Sequence, residues 1–422
     1  MDESRGIRAA VRAAPRQTKV VVGAISASQF LNHAYLVLFP PILTILEGDF
    51  GVGLGLLGLA LGIQGATNTL FQLPFGHLAD EYDRTIALGL SSLLGAVGVL
   101  VTAVAPGYVS FFVGQAIIGI GVAGHHPAHY PLLSDATPED LLGRAFSVYG
   151  FGGSLGFATP PTLLAGVVAA GYSWRYGVAA IGVVGLLFAV GIVVLFARRV
   201  SDDVTAPNVE ATDESEGTST PEDWRTRASA YIRDLVSSPG ILALALLALV
   251  GSTANWGFTS YIVVFLTDGY GLSLSLANLA LTGAFVAGAI TVFLGGHLAD
   301  TRAPGPVMLW TFAVLTLLFA ALAGGWLPPL AAAGVVLLIG GVRAVAGPAR
   351  SKLTDTLSVS GSTGTNFAIV SVGTMLGNAI APPLFGTIIE RSGPSAAFTG
   401  VAAVSVLAIV VTVWLVARFD DS

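Results

Sequence analysis

The sequence predicts an all-α membrane protein, with twelve transmembrane helices arranged as two six-helix bundles related by a parallel repeat. Three observations predict it. Hydrophobic residues make up 54% of the 422 residues and charged residues only 10%, against about 25% charged in an ordinary soluble domain. Twelve apolar runs are long enough to cross a bilayer, which takes roughly 20 residues per helix. A five-residue stretch, GHLAD, is written twice, at Gly76–Asp80 and again at Gly296–Asp300.

The runs lie near 20–46, 53–78, 86–105, 108–133, 143–170 and 174–197, then 240–266, 273–297, 306–326, 328–349, 364–389 and 395–417. The first is too long for a signal-peptide core and no cleavage pattern follows it, so it reads as a retained helix. One long polar stretch, 198–238, separates the sixth run from the seventh. Its acids (Asp202, Asp203, Glu210, Asp213, Glu214, Glu216, Glu222 and Asp223) stand among Ser, Thr and Pro, the composition of a disordered linker. The expected plan is an N-terminal segment 1–19, a first bundle 20–197, the acidic linker 198–238, a second bundle 239–417 and a tail 418–422. The 53 Gly and 21 Pro suit helices that pack closely and bend in lipid. With no Cys, neither a disulfide nor a thiolate metal site can be built. Nothing resembles a nucleic-acid footprint, and no nucleic-acid partner or cofactor is expected.

The cations set the expected orientation. Arg5, Arg8, Arg12, Arg16 and Lys19 precede the first run. Arg84, Arg144, Arg302, Arg350 and Lys352 fall on the same side, as do the linker arginines and Arg418. Only Arg175 and Arg391 fall on the other side, and Arg343 lies within a helix. By the positive-inside rule both termini and the linker are expected in the cytoplasm of a multi-pass cell-membrane protein.

The duplicated stretch belongs to a longer repeat. Phe146, Gly152, Leu155, Gly156 and Pro161 recur 221 residues later as Phe367, Gly373, Leu376, Gly377 and Pro382, and Pro127-Ala128 returns as Pro348-Ala349. In the first and seventh runs Ser26, Tyr35 and Phe39 meet Ser252, Tyr261 and Phe265, with Gln29 facing Asn255. Parallel repeats of six helices, related by an axis along the membrane normal, are the plan of carriers that rock two bundles about a central site.

Here a family resemblance becomes specific. The stretch Gly76-His-Leu-Ala-Asp80-Glu-Tyr-Asp-Arg84 resembles the loop motif between helices 2 and 3 of the major facilitator superfamily. Gly296-His-Leu-Ala-Asp300-Thr-Arg302 stands where that superfamily repeats it, between helices 8 and 9. At Glu81, Asp83 and Thr85 the sequence departs from the basic residue, Gly and basic residue more typical of the motif. Gly76 and Gly296 are expected to allow close helix approach. Asp80 and Asp300 are expected to place charge at exposed helix amides; the resemblance implies helix 11 as the partner of Asp80 and helix 5 as that of Asp300. Gly76, Asp80, Arg84, Gly296, Asp300 and Arg302 are therefore the candidate conformational gate, against the plainer reading that GHLAD only stops a helix. His126-Pro127 is similar to the Phe-His-Pro element of the fosmidomycin-resistance-type branch. In the helix 1 stretch of that branch this chain has Gln29 in place of a His and His33 in place of an Asp.

Ionisable groups at membrane depth are functional candidates by default. No acid falls in mid-helix; the candidates are His33, His125, His126, His129 and Arg343. His33, beside Asn32 and one turn after Gln29, is nearest mid-membrane; its structural alternative is an imidazole satisfied by a neighbouring helix. His125 and His129 share a helix face, a spacing that suits a metal, but no further ligand accompanies them and no metal site is expected. Arg343 either salt-bridges, donates to carbonyls freed by Pro348, or holds an anion. Asn255 and Asn378 complete the expected substrate and proton pathway.

The resulting expectation is a monomeric, non-enzymatic secondary transporter of a small organic solute, working by alternating access as proton-coupled export, with His33 carrying the proton. The alternatives are uptake or facilitated transport of a small anion through Arg343 and, from another class, a metal-dependent membrane-embedded enzyme. The gate yields a test. A charge at a helix terminus contributes up to about 2 kcal/mol, enough to shift a balanced equilibrium more than tenfold, so Asp80→Asn should favour forms open to the cytoplasm. Labelling of single Cys residues placed in the cytoplasmic vestibule should rise, and unchanged labelling refutes the gate.

Overall fold

The protein is described from a computed structural model covering residues 14–206, 239–356 and 363–419. Among these residues twelve helical segments are long and apolar enough to cross a membrane. Spans 1 to 6 are Arg16–Phe50, Leu54–Glu81, Arg84–Ala103, Tyr108–Asp135, Glu139–Ala169 and Trp174–Arg199. Spans 7 to 12 are Pro239–Gly269, Leu274–Thr301, Pro304–Ala323, Pro329–Thr356, Ile369–Ser392 and Pro394–Arg418. Each apolar run has its span.

Spans 2, 5, 8 and 10 run further than their apolar stretches, all at the face where the linker begins. Caps, not hydropathy, end helices in water. The Asp83 carboxylate accepts from Ile86 N at 2.9 Å to open span 3, and Glu139 and Asp140 sit in the first turn of span 5, where the helix dipole favours acids. As a result Asp80, Arg144, Asp300, Arg350 and Lys352 stand within helices and not in loops. Proline explains the breaks. Span 1 is a helix to Leu36, a 3-10 turn at Pro40–Ile42 and a short helix Leu43–Phe50, because Pro40 and Pro41 offer no N–H to continue the ladder. Span 4 is interrupted at Gly124, immediately before the histidines.

The packing carries the repeat. Span 1 packs on 5, 2 on 4, 3 on 4, and 3 on 6; correspondingly, 7 packs on 11, 8 on 10, 9 on 10, and 9 on 12. Two further pairs join the halves, span 2 with span 11 and span 8 with span 5, and these are each other's equivalents. Both contacts lie in the half of the membrane away from the linker face. Along span 2, Gly58, Gly62 and Gly65 face Pro382, Pro383 and Ala379 so closely that a Cβ on any of the three would strike span 11. Tyr261 of span 7 donates its hydroxyl across this seam, to Pro382 O at 2.7 Å and Leu54 O at 3.3 Å. Gly55 N donates to Glu390 Oε2 at 3.0 Å, and Asn278 Nδ2 reaches Pro41 O at 3.0 Å. The molecule is closed at that face and open at the linker face.

The open state accounts for one departure from expectation. A Cβ at Gly76 or Gly296 would meet nothing within 4 Å, so neither glycine serves a close helix approach here. The beginning of the expected linker departs as well. Residues 198–206 fold against the first half, with a helical turn at Asp202–Thr205 and Val204 only 5% exposed. Buried Arg84 holds this turn: its Nη1 donates to Asp135 Oδ2 at 2.5 Å and to Val204 O at 3.0 Å. The rest of the linker, 207–238, like segment 1–13 and residues 420–422, lies outside the described residues.

The seam predicts a conformational phenotype. Gly62→Val cannot be accommodated without parting spans 2 and 11, so it should populate forms open at the opposite face. In a Ser154→Cys background, which reports on the linker-face cavity, thiol labelling from the linker side should slow several-fold. An unchanged rate would show that the seam does not hold this state.

Candidate functional site

Between the halves a cavity of about 790 Å³ opens at the linker face, walled by spans 5, 7, 8 and 10. Its wall is mainly apolar and aromatic, as solute sites are, with Phe151, Phe157, Trp256 and Phe285 on it and Ser147, Ser154, Asn255 and Thr259 as polar points. Arg343 of span 10 is its innermost cation. The Arg343 Nη1 donates to Asn255 Oδ1 at 2.8 Å and to Thr259 Oγ1 at 3.0 Å. Asn255 and Thr259 are four residues apart and so share one face of span 7. The guanidinium also lies over two rings, 5.1 Å from the Phe285 centroid and 5.5 Å from that of Phe258, where the ring quadrupole attracts a cation.

Of the three roles open to Arg343, two are not realised. Among the described residues no carboxylate pairs with it, and it donates to side-chain oxygens and not to carbonyls freed by Pro348. Asp300 is the one acid on the cavity wall, and it stands roughly 22 Å along span 8 from Phe285 at 1.5 Å rise per residue. A cation withdrawn from water without a counter-charge is strongly disfavoured. An anion in the cavity would neutralise it.

The histidines form a separate assembly inside the first half. His33 Nε2 bonds Gln29 Nε2 at 2.8 Å, and Asn32 Nδ2 donates to Val122 O at 3.3 Å. His129 is held on both nitrogens, by Ser28 Oγ at 2.9 Å and the Tyr149 hydroxyl at 3.3 Å. The same hydroxyl lies 3.0 Å from His126 Nδ1. His125 Nδ1 bonds Ser91 Oγ at 2.7 Å. Gln29 Oε1, Asn32 Oδ1 and His33 Nδ1 are buried without a protein partner, an uncommon cost that native interiors usually reserve for a polar ligand, ion or water. None of these groups lines the cavity. His33 is one ring removed from it: its imidazole stacks on Phe157 at 4.0 Å, and Phe157 stacks on Phe285 at 5.4 Å. A column of rings therefore runs from His33 in span 1 through spans 5 and 8 to Arg343 in span 10.

The remaining expected site residues are scattered. Asn378 sits on span 11 where it meets Gly65 of span 2, away from the cavity lining. Asp80 and Arg302 are exposed at helix ends, while Gly296 and Asp300 line the cavity mouth. The carboxylates of Asp80 and Asp300 make no hydrogen bond among the described residues. Arg84 points inward, to Asp135. His125 and His129 have rings 5.3 Å apart, but each is engaged by hydroxyls. Sequence reasoning missed Tyr149, Phe157, Thr259 and Phe285. Only Thr259 had a readable signal, its four-residue spacing from Asn255; the others matter through contacts between spans.

Comparison with known proteins agrees with this architecture. The "Probable L-galactonate transporter" of Escherichia coli (strain K12) is 23% identical over 71% of this chain and 66% of its own length. The fosmidomycin resistance protein of the same strain is 24% identical over 66% of this chain and 65% of its own length, and the nitrite extrusion protein of Bacillus subtilis (strain 168) is 24% identical over 67% and 65%. The chain thus spans no more than about two thirds of the length of these curated relatives. A crystal structure of a bacterial homolog of the human lysosomal transporter Spinster, in an inward-facing and occupied conformation, superposes with a TM-score of 0.78 at 16% identity. That match covers 97% of this chain and 99% of the other. The sequence model of the Major Facilitator Superfamily matches residues 25–358 and 245–421, and with twelve spans in two repeat-related sets of six, this multi-pass membrane protein belongs to that superfamily.

Proposed function

We propose that the protein exports a small organic anion in exchange for protons, with its linker face in the cytoplasm of the cell membrane. The observation that carries this reading is Arg343: a cation at the innermost point of the cavity, held among the described residues by neutral oxygens and rings. L-galactonate and nitrite, carried in the names of two relatives, are anions, and the names of the nitrite extrusion and fosmidomycin resistance proteins are in keeping with outward movement. The carrier acts as a monomer with halves at 20–197 and 239–417 joined by the linker 198–238. In the open state described here the solute enters from the cytoplasm and pairs with Arg343. Its charge then removes the electrostatic obstacle to closing the cytoplasmic face, where Asp80 and Asp300 reach the helix ends they do not touch now.

Proton coupling is assigned to the first half. The chain His126–Tyr149–His129–Ser28 offers groups that both donate and accept, and histidine is the side chain suited to titrate near neutral pH. The ring column places His33 in mechanical contact with the Arg343 site. A proton at His33 and an anion at Arg343 therefore bear on the same Phe157–Phe285 contact between the halves.

Two measurements in reconstituted vesicles check the reading. Counterflow with a panel of labelled monocarboxylates and uncharged polyols should show carboxylate preference, with Arg343→Gln reducing carboxylate exchange at least a hundredfold and Arg343→Lys retaining a fraction. Preference for the uncharged solutes, or an active Arg343→Gln protein, rejects the anion. In the second, His33→Gln should abolish accumulation driven by a pH gradient while leaving exchange intact. Loss in His129→Gln with His33→Gln unaffected would move the proton to span 4. Normal accumulation in every histidine variant would leave the exchange without a histidine carrier.

A further inference from the structure

The second half encloses a smaller cavity, of about 210 Å³, walled by spans 7, 9, 10, 11 and 12. It adjoins the central cavity, since Asn255, Trp256, Arg343 and Gly347 line both. Most of its lining is apolar, from Leu247 and Phe258 to Met308 and Phe319, and no acid contributes to it. Two arginines do. Arg343 and Arg350 are seven residues apart, which puts them on one face of span 10 about 10.5 Å apart along its axis, with Arg350 nearer the linker face. The guanidinium of Arg350 has no hydrogen bond or ion pair among the described residues. The hydroxyls on the wall are already committed: Ser252 donates to Thr374 O at 2.6 Å, and Ser405 to Val401 O at 3.1 Å. The donors a ligand would meet are the two guanidiniums, the charged ones, with the Asn255 amide and the Trp256 indole N–H beside Arg343.

The repeat shows that this is an interior position. Arg350 stands 221 residues after His129, and His129 points into its own half, to Ser28 and Tyr149. Where the first half fills the equivalent space with imidazoles and a phenol, the second keeps a cavity with two positive charges. Its volume corresponds to roughly seven waters at ~30 Å³ each, the room of one oxyanion head group with part of its hydration.

We propose that this cavity is a second anion station, binding a small oxyanion, such as a carboxylate or phosphate group, between Arg343 and Arg350. It deepens the assignment of Arg343 to an anion and rests on it. An anion arriving from the cytoplasm meets Arg350 first and is passed to Arg343, so the ladder loads the central site.

The chain has no Cys, so a single thiol at the cavity wall can report on it. In Thr374→Cys protein in phosphatidylcholine vesicles, the rates of an anionic and a cationic methanethiosulfonate reagent are compared, with and without tens of millimolar inorganic phosphate. A unit charge ~10 Å away in a medium of effective dielectric ~20 changes local ion concentration by about tenfold. The anionic reagent is enriched and the cationic one depleted by that factor, so the anionic-to-cationic rate ratio should fall about a hundredfold in Arg350→Gln and persist in Arg350→Lys. Phosphate should slow the anionic reagent several-fold unless Arg350 is replaced by Gln. If Arg350→Gln changes neither the ratio nor phosphate protection while Arg343→Gln removes both, the second station is refuted and the central anion site survives. If neither substitution has an effect, both assignments fall. A ratio that drops without phosphate protection shows a positive field but no site, and an unreactive Thr374→Cys shows a cavity closed to anions; each overturns the station.

Discussion

The architecture depends on a backbone approach that only glycine permits. Gly58, Gly62 and Gly65 bring span 2 against Pro382, Pro383 and Ala379 of span 11. In lipid there is little hydrophobic drive to bring helices together, so close packing and interhelical hydrogen bonds must supply it. The seam has both, since the Tyr261 hydroxyl bridges carbonyls on its two sides. Everything functional follows from shutting this end. The linker-face cavity exists because the halves part below the seam, and among the described residues it leaves Arg343 on an open wall.

A second constraint is charge. Among the described residues the interior holds a guanidinium without an acid to answer it, and a set of imidazoles in the other half without one either. The two are connected by rings and not by hydrogen bonds: His33, Phe157, Phe285 and Arg343 stack in sequence across the boundary between halves. Stacked rings transmit position, so a shift on one side is felt as repacking on the other. This contact needs no carboxylate to link the cation site with the histidines.

Much of this was legible in the sequence. The twelve spans were, because the bilayer imposes a length and a composition on each one. The repeat was, because Pro127/Pro348 and the glycines of spans 5 and 11 mark backbone geometry that both halves share. Arg343 was, since a lone cation in an apolar run has few structural explanations. Pairing between distant spans was not. Nothing local marks Tyr149 as the partner of His126 and His129, or Phe157 as the ring between His33 and the cavity. Arg350 was hidden for a different reason. It follows the end of an apolar run, where hydropathy predicts a loop, but span 10 continues through it and turns it inward.

The matched packing of the two halves also bears on how such a chain can change. Contacts that make the frame, spans 1 with 5 and 7 with 11, or 2 with 11 and 8 with 5, are duplicated and use small residues and backbone. Several interior polar residues are not duplicated: His129 and Arg350 occupy equivalent places with unrelated chemistry, as do His33 and Thr259. Selection could thus vary the polar groups inside the second half while leaving those of the first untouched, since the frame they share does not depend on either. An ancestral doubling of one six-helix unit would have supplied that freedom, letting the two interiors diverge as separate traits within a single polypeptide.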